Sequence, residues 1–274
     1  MSTGYAATGI RHPLRVSLVQ GDTRWHDPDA NRAYYGELLD GLHGTTDLVI
    51  LPETFTSGFS NEAIDRAETM SGPTVAWMRE RARDLDAAVV GSVQLRTDGG
   101  VNNRLLFVTP DGIETYDKRH LFRYAGEHER YAAGRERLVV SWRGWRICPL
   151  VCYDLRFPVF SRNRYDVERR GSLDYDLLIY VANWPAVRSH AWRTLLRSRA
   201  MENLCYVAAV NRVGTDGNDL AYAGESAVID YLGNALSECA DMEVVSTTTL
   251  FLEDLEAYRE RFPAMLDADR FELL

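Results

Sequence analysis

The feature that most constrains this chain is an apolar run that ends abruptly in a cysteine. Ile147 to Val151 can form a strand buried on both faces, and Cys152 follows it within the stretch VCYDLRFP. Strands of α/β proteins leave functional groups just beyond their carboxyl ends, so this strand would present a nucleophile. A cysteine in an apolar run is by default a small buried hydrophobic residue, and the choice between the two interpretations depends on the rest of the chain.

Two other predicted strands end in charged side chains. The short apolar run Asp47 to Leu51 leads to Glu53, and the predicted hairpin strand Ile113 to Tyr116 is followed by Lys118. A thiol becomes nucleophilic when a base removes its proton or a nearby cation stabilises the thiolate. A carboxylate beside an ammonium group supplies both functions.

This chemistry assigns a hypothetical role to each residue. Glu53 is the general base, Cys152 is the nucleophile, and Lys118 donates a hydrogen bond to the oxyanion formed by attack on a carbonyl. The backbone amide of Tyr153 is the second oxyanion donor. Each residue alone also has an ordinary structural role, so the residues themselves leave the triad as a hypothesis.

Composition excludes several other classes of function. The 274 residues are 46% hydrophobic and 26% charged, which is typical of a soluble globular protein. The net charge of -9 and the lack of Lys/Arg runs argue against a nucleic-acid partner. We find neither a membrane span of roughly 20 apolar residues nor a signal-peptide apolar region, and we expect a cytoplasmic protein. The four cysteines form no CxxC pair, which favours reduced thiols.

Metal and cofactor sites are not indicated. His128 lies between Glu127 and Glu129, but there is no second cluster at ligand spacing, so we expect no metal. There is no G-x-G-x-x-G motif and no phosphate-loop lysine, and Ser226 does not lie in a nucleophile elbow. We therefore expect no cofactor.

The order of predicted elements indicates an α/β fold. Strands and helices alternate as β-α-β-α-β and are followed by hairpins, which favours two mixed sheets packed face to face with helices outside. We expect an N-terminal extension over 1–13 and a single domain over 14–274. The aperiodic connection 119–137 is long enough to suggest a functional role. A helix is predicted from Pro158 to Arg170.

Three stretches, LPETF, YDKRHLF and VCYDLRFP, resemble the Glu, Lys and Cys motifs of the nitrilase superfamily of carbon-nitrogen hydrolases. AGEHERYAAG and NWPAVRSHAWRTLLRSRAMEN are similar to the omega-amidase branch. The resemblance implies an αββα sandwich that dimerises, a cysteine thioester formed with loss of ammonia, and the roles given above for Glu53, Lys118 and Cys152. It also implies a second glutamate near the lysine, which by position is Glu127, with Glu129 as the rival.

The same resemblance implies a small omega-amide substrate, such as 2-oxoglutaramate or succinamate. Arg188 or Arg156 would bind its free carboxylate, and Trp184 and Phe59 would line the pocket. A nitrilase or N-carbamoyl hydrolase, and a catalytically silent binding protein on the same scaffold, remain alternatives. We expect no nucleic-acid or membrane partner, and a homodimer or higher homo-oligomer.

Overall fold

Two six-stranded sheets form the centre of the computed structural model, which describes residues 12–166 and 172–273. The strands within these ranges are β1 Leu14–Gln20, β2 Leu48–Ile50, β3 Ala88–Thr97, β4 Gly100–Val108, β5 Ile113–Asp117, β6 Val140–Trp142, β7 Trp145–Val151, β8 Tyr165–Asp166, β9 Ser172–Leu173, β10 Leu177–Ala182, β11 Tyr206–Asn211, β12 Val213–Thr215, β13 Ala221–Ala223, β14 Ala227–Ile229, β15 Ala235–Glu238 and β16 Val244–Leu250. The α-helices are α1 Pro28–Leu39, α2 Pro73–Leu85, α3 Glu127–Arg130, α4 Pro158–Ser161, α5 Ser189–Asn203 and α6 Leu252–Arg261. None of these helices has the length and apolar character needed to cross a membrane.

Both sheets are mixed, as the sequence predicts. The first has the order β16-β1-β2-β3-β4-β5, in which β1, β2 and β3 are parallel and β4 turns back before β5. The second has the order β15-β14-β11-β10-β7-β6, with β7, β10 and β11 parallel. The carboxyl ends of β2 and β5 therefore lie at one edge of the first sheet, and those of β7 and β10 lie at one edge of the second.

Strand β2 shows how the layers arise from the sequence. Leu48 and Ile50 belong to the core between the two sheets, whereas Val49 packs in the core beneath α1 and α2. Successive side chains of a strand point to opposite faces, so an apolar run without alternation must be covered on both faces. On the second sheet, α5 contributes Trp192 and Leu196 to the buried core. The α/β sandwich with outer helices is confirmed.

The predicted helix from Pro158 to Arg170 is wrong in its length. The helix ends at Ser161, and Arg162 has extended backbone angles. The Asn163 side chain then donates to the carbonyl oxygens of Tyr175 and Asn203, at 2.8 and 3.0 Å, which holds the chain in a non-helical path. Residues 167–170 of the predicted helix, and residues 1–11 of the predicted N-terminal extension, lie outside the described residues.

Replacing Ile50 by alanine tests the core between the sheets. Ile50 is fully buried there, so we expect Ile50→Ala to lower the free energy of unfolding by about 2–5 kcal/mol. Leu236→Ala is the control, because Leu236 lies on edge strand β15 and is 45% exposed. Its effect should stay within about 0.5 kcal/mol in urea unfolding. Equal effects of the two substitutions would contradict the assigned core.

Candidate active site

Side chains that follow four strands meet at one place between the sheets. Glu53 follows β2, Lys118 follows β5, Cys152 follows β7 and Asn183 follows β10. Asn183 donates from its side chain to the carbonyl oxygen of Glu53 at 2.7 Å, which joins the edges of the two sheets. The structure therefore brings together the three residues of the hypothetical triad.

The Lys118 ammonium group lies between two carboxylates. Its Nζ is 2.9 Å from Glu53 Oε1 and 3.0 and 2.9 Å from the two carboxylate oxygens of Glu127. Burial alone would lower the pKa of Lys118, but the charges of Glu127 and Glu53 outweigh it and raise this pKa well above the usual value. Lys118 therefore stays positively charged and fixed in position.

Glu127 reaches this cluster from α3, a single helical turn within the long connection 119–137. Its side chain is completely buried and accepts the Phe122 amide at 2.6 Å. Burial raises the pKa of Glu127, although Lys118 opposes this shift. The rival, Glu129, is 72% exposed and lies 3.9 Å from His128. The geometry thus places Glu127, and not Glu129, against Lys118.

The Glu53 carboxylate has an asymmetric set of donors. Oε1 accepts from Lys118 and from the Asn103 side chain at 2.8 Å, whereas Oε2 accepts the Asn183 backbone amide at 2.8 Å. The carbonyl oxygen of Asn183 lies 3.8 Å from Cys152 Sγ. Oε2 therefore has a free lone pair and is bound to the residue that contacts the thiol, which suits it to accept the thiol proton.

Cys152 turns sharply away from its strand. It has a φ of 43°, a left-handed conformation that is costly for a residue with a Cβ and is found most often at functional sites. Cys152 also begins a short 3-10 helix that ends at Arg156. The Tyr153 amide lies in the first turn of this helix, where amide hydrogens have no intrahelical partner, so it remains a candidate oxyanion donor.

The Cys152 thiol is protonated in the resting site. Burial, and then the negative charge of Glu53, raise its pKa well above the usual value, and the opposing effect of Lys118 is smaller. The cation alone therefore does not generate a thiolate, and a base is needed. The other thiols lie outside the site: Cys148 is fully buried, and burial raises its pKa to about 12.

Asp154 ties the nucleophile turn to the strand that carries the lysine. Its Oδ2 accepts the Val151 amide at 3.0 Å and the Tyr116 hydroxyl at 2.7 Å. Its Oδ1 accepts the His120 amide at 3.1 Å and lies 2.7 Å from His120 Nδ1. Residues on both sides of Cys152 and of Lys118 are thus held by one buried carboxylate.

A cavity of about 360 Å³ opens above this cluster. Its lining includes Glu53, Lys118, Cys152 and Tyr153, together with all four residues predicted to bind substrate, which are Phe59, Arg156, Trp184 and Arg188. The Phe59 ring centre is 5.3 Å from Lys118 Nζ. Most of the exposed lining is apolar or aromatic, which is typical of a pocket for a small organic molecule.

The two arginines in this cavity lie on different aromatic surfaces. The Arg188 guanidinium is 5.5 Å from the centre of the Phe122 ring and 5.3 Å from that of Tyr124. The Arg156 guanidinium is 4.9 Å from the centre of the Trp184 ring. The nearby carboxylates Asp154 and Glu127 accept from other donors among the described residues.

No metal cluster is visible in the described ranges. Residues 12–166 and 172–273 contain no group of three or more His, Cys, Asp or Glu side chains that could hold a metal ion. His128 is partly exposed beside Glu129.

Residues 15–260 match the family model described as Carbon-nitrogen hydrolase. This chain belongs to the carbon-nitrogen hydrolase family. Omega-amidase YafV of Yersinia enterocolitica is 48% identical over 263 residues, covering 95% of this chain and 99% of that protein. A 2-oxoglutaramate amidase of Bacillus subtilis (strain 168) is 30% identical over 256 residues, which cover 92% of this chain and 96% of that protein.

A solved carbon-nitrogen hydrolase has nearly the same fold. It is XC1258 from Xanthomonas campestris, described as a CN-hydrolase superfamily protein with an arsenic adduct in its active site. The two structures superpose with a TM-score of 0.95, and the two sequences are 67% identical. The match covers 96% of this chain and all of that chain. The superfamily inferred from the sequence motifs is confirmed, as is an enzyme that hydrolyses amides.

Sequence reasoning missed two residues that support the hydrolase site. Asn103 donates to Glu53 and lies 3.5 Å from Glu127 Oε1, and the only sequence signal was a polar residue within the predicted strand region of β4. Asp154 stands inside VCYDLRFP, but nothing in that stretch shows that four donors converge on it. Both roles depend on residues distant in the sequence.

Labelling of thiols as a function of pH tests this electrostatic description. Glu53 raises the pKa of Cys152, so Glu53→Gln removes one cause of the shift, and the thiolate should form at lower pH. We expect the midpoint of Cys152 modification by methyl methanethiosulfonate to fall in Glu53→Gln while amide hydrolysis drops at least about a hundredfold. Peptide mass spectrometry identifies the modified residue.

In the wild type, the same experiment should modify Cys152 before the other cysteines. The control is Glu238→Gln, which removes a partly exposed carboxylate far along the chain, in β15, and should leave the midpoint unchanged. First labelling on Cys148, Cys205 or Cys239, or a midpoint that rises in Glu53→Gln, would contradict the description.

Proposed function

We propose that this carbon-nitrogen hydrolase is an omega-amidase, which removes the terminal amide of a small dicarboxylate monoamide such as 2-oxoglutaramate or succinamate. The observation that carries the proposal is one cavity in which a thiol, a buried carboxylate–ammonium cluster and two arginines converge. Similarity to proteins named omega-amidase and 2-oxoglutaramate amidase supports the same substrate class.

The first half of the reaction breaks the carbon–nitrogen bond. Glu53 Oε2 takes the thiol proton, and the Cys152 sulfur attacks the amide carbon, which forms a C–S bond and places the carbonyl electron pair on oxygen. Lys118 and the Tyr153 amide donate to this oxyanion. When the carbonyl re-forms, the C–N bond breaks, the proton held by Glu53 passes to the nitrogen, and ammonia leaves a thioester.

The second half returns the enzyme to its resting state. Glu53 removes a proton from water, and the resulting hydroxide attacks the thioester carbon at the same oxyanion site. Collapse breaks the C–S bond, and the proton on Glu53 returns to the sulfur. The net reaction is amide plus water to carboxylic acid and ammonia, and proton transfer in solution then gives the dicarboxylate and ammonium. Glu127 keeps Lys118 oriented through both halves.

Arg188 is the better candidate for binding the far carboxylate of the substrate. Its backbone carbonyl accepts the Trp184 indole N–H at 2.9 Å, and its guanidinium lies against two rings, so it is held in a partly dry position. Arg156 is exposed. A guanidinium binds a carboxylate through two parallel hydrogen bonds, which are strongest where water is excluded.

Two related activities use the same thiol chemistry. A nitrilase and an N-carbamoyl hydrolase would also attack an electrophilic carbon with Cys152, and no contact in the site favours either over an amidase. Release of ammonia from amides, nitriles and carbamoyl amino acids, assayed in parallel, separates these activities. A homodimer remains a proposal that rests on the family resemblance, and a cytoplasmic location remains a proposal that rests on the sequence.

Replacing Arg188 by alanine tests the recognition of the carboxylate. We expect the KM for succinamate to rise about 10- to 100-fold, because a charge-assisted bidentate contact is lost, while kcat changes little. Hydrolysis of butyramide, which has no carboxylate, should be nearly unaffected. Arg197→Ala is the control, because Arg197 lies on helix α5, which begins directly after Arg188, and pairs with Glu238 outside the cavity lining.

The wild-type enzyme provides the counter-test. Equal kcat/KM for butyramide and succinamate, or a preference for a nitrile over both, would contradict an omega-amidase. Equal loss of butyramide and succinamate hydrolysis in Arg188→Ala would contradict the role of Arg188 in binding the carboxylate, but it would not contradict the omega-amidase proposal.

A further inference from the structure

One wall of the cavity is a hairpin formed by β12 and β13. Its residues Asp216, Asn218, Leu220 and Tyr222 line the cavity that contains Cys152. Strand β13 also lies against the short turn Ala186–Arg188, which carries the proposed carboxylate-binding arginine. The hairpin 213–223 is therefore part of the site, although its sequence carries none of the family motifs.

The shape of the hairpin is fixed internally. Asp216 Oδ1 accepts the amides of Asn218 and Leu220, at 2.8 and 3.1 Å, and its Oδ2 accepts the Tyr222 hydroxyl at 2.9 Å. These bonds close the tip into a defined turn. Leu220, an apolar side chain that is only partly buried, lies at the end of this turn and faces the cavity.

The hairpin is also held from behind by the segment that follows β1. A Cβ atom at Gly217 would overlap the indole of Trp25, and one at Gly214 would overlap the Asp22 carboxylate. Gly217 does not have a left-handed φ, so the contact with Trp25 alone accounts for a glycine there. The Gly217 backbone is thus in direct contact with the Trp25 side chain, and the hairpin has no space to move toward that side chain.

A buried arginine strengthens this attachment. Arg212 is fully buried, donates to Asp22 Oδ1 at 2.7 Å, and lies 4.9 Å from the centre of the Tyr222 ring. Loss of the carboxylate partner of a buried guanidinium strongly destabilises the folded protein. The pair of Arg212 and Asp22 therefore holds the base of the hairpin to the segment after β1. Asp22 and Trp25 are not among the residues that line the cavity, although Trp25 also lies against Gly58, next to the cavity residue Phe59.

We propose that the hairpin 213–223 sets the chain length of the omega-amides that the enzyme accepts, and that Asp22 and Trp25 are positioning residues for it. The inference rests on the proposed function. With the amide carbon at Cys152 and the carboxylate at Arg188, the methylenes between them must fit beside the wall that carries Leu220. The position of that wall therefore decides how many methylenes fit.

The test compares kcat/KM for succinamate, glutaramate and adipamate, which differ only in methylene number. Leu220→Ala enlarges the cavity at the wall, and we expect the adipamate-to-succinamate ratio to rise at least about tenfold, because each of the two additional methylenes of adipamate can be worth about tenfold in an apolar pocket. Leu220 is partly exposed, so this variant should fold normally. A length profile identical to the wild type, or an equal loss for all three substrates, would overturn the proposal.

A double-mutant cycle tests the positioning role. Gly217→Ala and Trp25→Ala should each change the adipamate-to-succinamate ratio. The double variant should resemble Trp25→Ala alone, because the added methyl group then meets no indole. The rate of Cys152 labelling should stay at the wild-type value throughout, and Gly41→Ala, at a glycine with open space around it, should change nothing. Additive effects in the double variant, or loss of Cys152 labelling in step with the ratio, would overturn the positioning role.

Failure of the proposed function gives a different result. A wild-type enzyme that hydrolyses butyramide as well as succinamate would contradict the omega-amidase proposal. In that case butyramide and hexanamide replace succinamate, glutaramate and adipamate as substrates. A hexanamide-to-butyramide ratio of kcat/KM that is the same in Leu220→Ala as in the wild type would then overturn the hairpin proposal independently.

Discussion

A buried ammonium group held between two carboxylates is the interaction on which the site depends. Lys118, Glu53 and Glu127 each have side chains at most 1% exposed, so each charge has lost nearly all its water. Ion pairs in this position persist only with good geometry and further hydrogen bonds, and removal of one partner typically costs about 3–5 kcal/mol. Asn103, Asn183 and the Phe122 amide supply those further bonds. The cluster is therefore rigid before substrate arrives.

The same cluster determines how the thiol can react. Burial, and then the negative charge of Glu53, raise the pKa of Cys152 and keep the sulfur protonated, so the proposed mechanism requires Glu53 to take its proton. In that mechanism the oxyanion forms beside an ammonium group that is already in place, so little reorganisation is needed. The left-handed backbone of Cys152, and the Asp154 contacts on either side of it, hold the sulfur where the two sheets meet.

Much of the fold and part of the site could be predicted from the sequence. The predicted strands that lead to Glu53, Lys118 and Cys152 have functional groups at their ends, and the motifs around them identify the family and its two-sheet sandwich, both of which are confirmed. The roles of these residues remain predictions. Asn103 could not be found because its partner Glu53 lies 50 residues away and in another strand. The contact of Trp25 with Gly217 likewise depends on tertiary proximity, and so does the end of α4, where Asn163 bonds to distant carbonyl groups.

The central claim is that the amide is cleaved through an acyl group on Cys152, and partitioning with hydroxylamine tests it most directly. Succinamate and monomethyl succinate would form the same succinyl thioester after loss of ammonia or methanol. Hydroxylamine and water then compete for one intermediate, so the account predicts the same ratio of hydroxamate to succinate from both substrates, and no product from Cys152→Ala. Different ratios from the two substrates, or hydroxamate formation by Cys152→Ala, would contradict it.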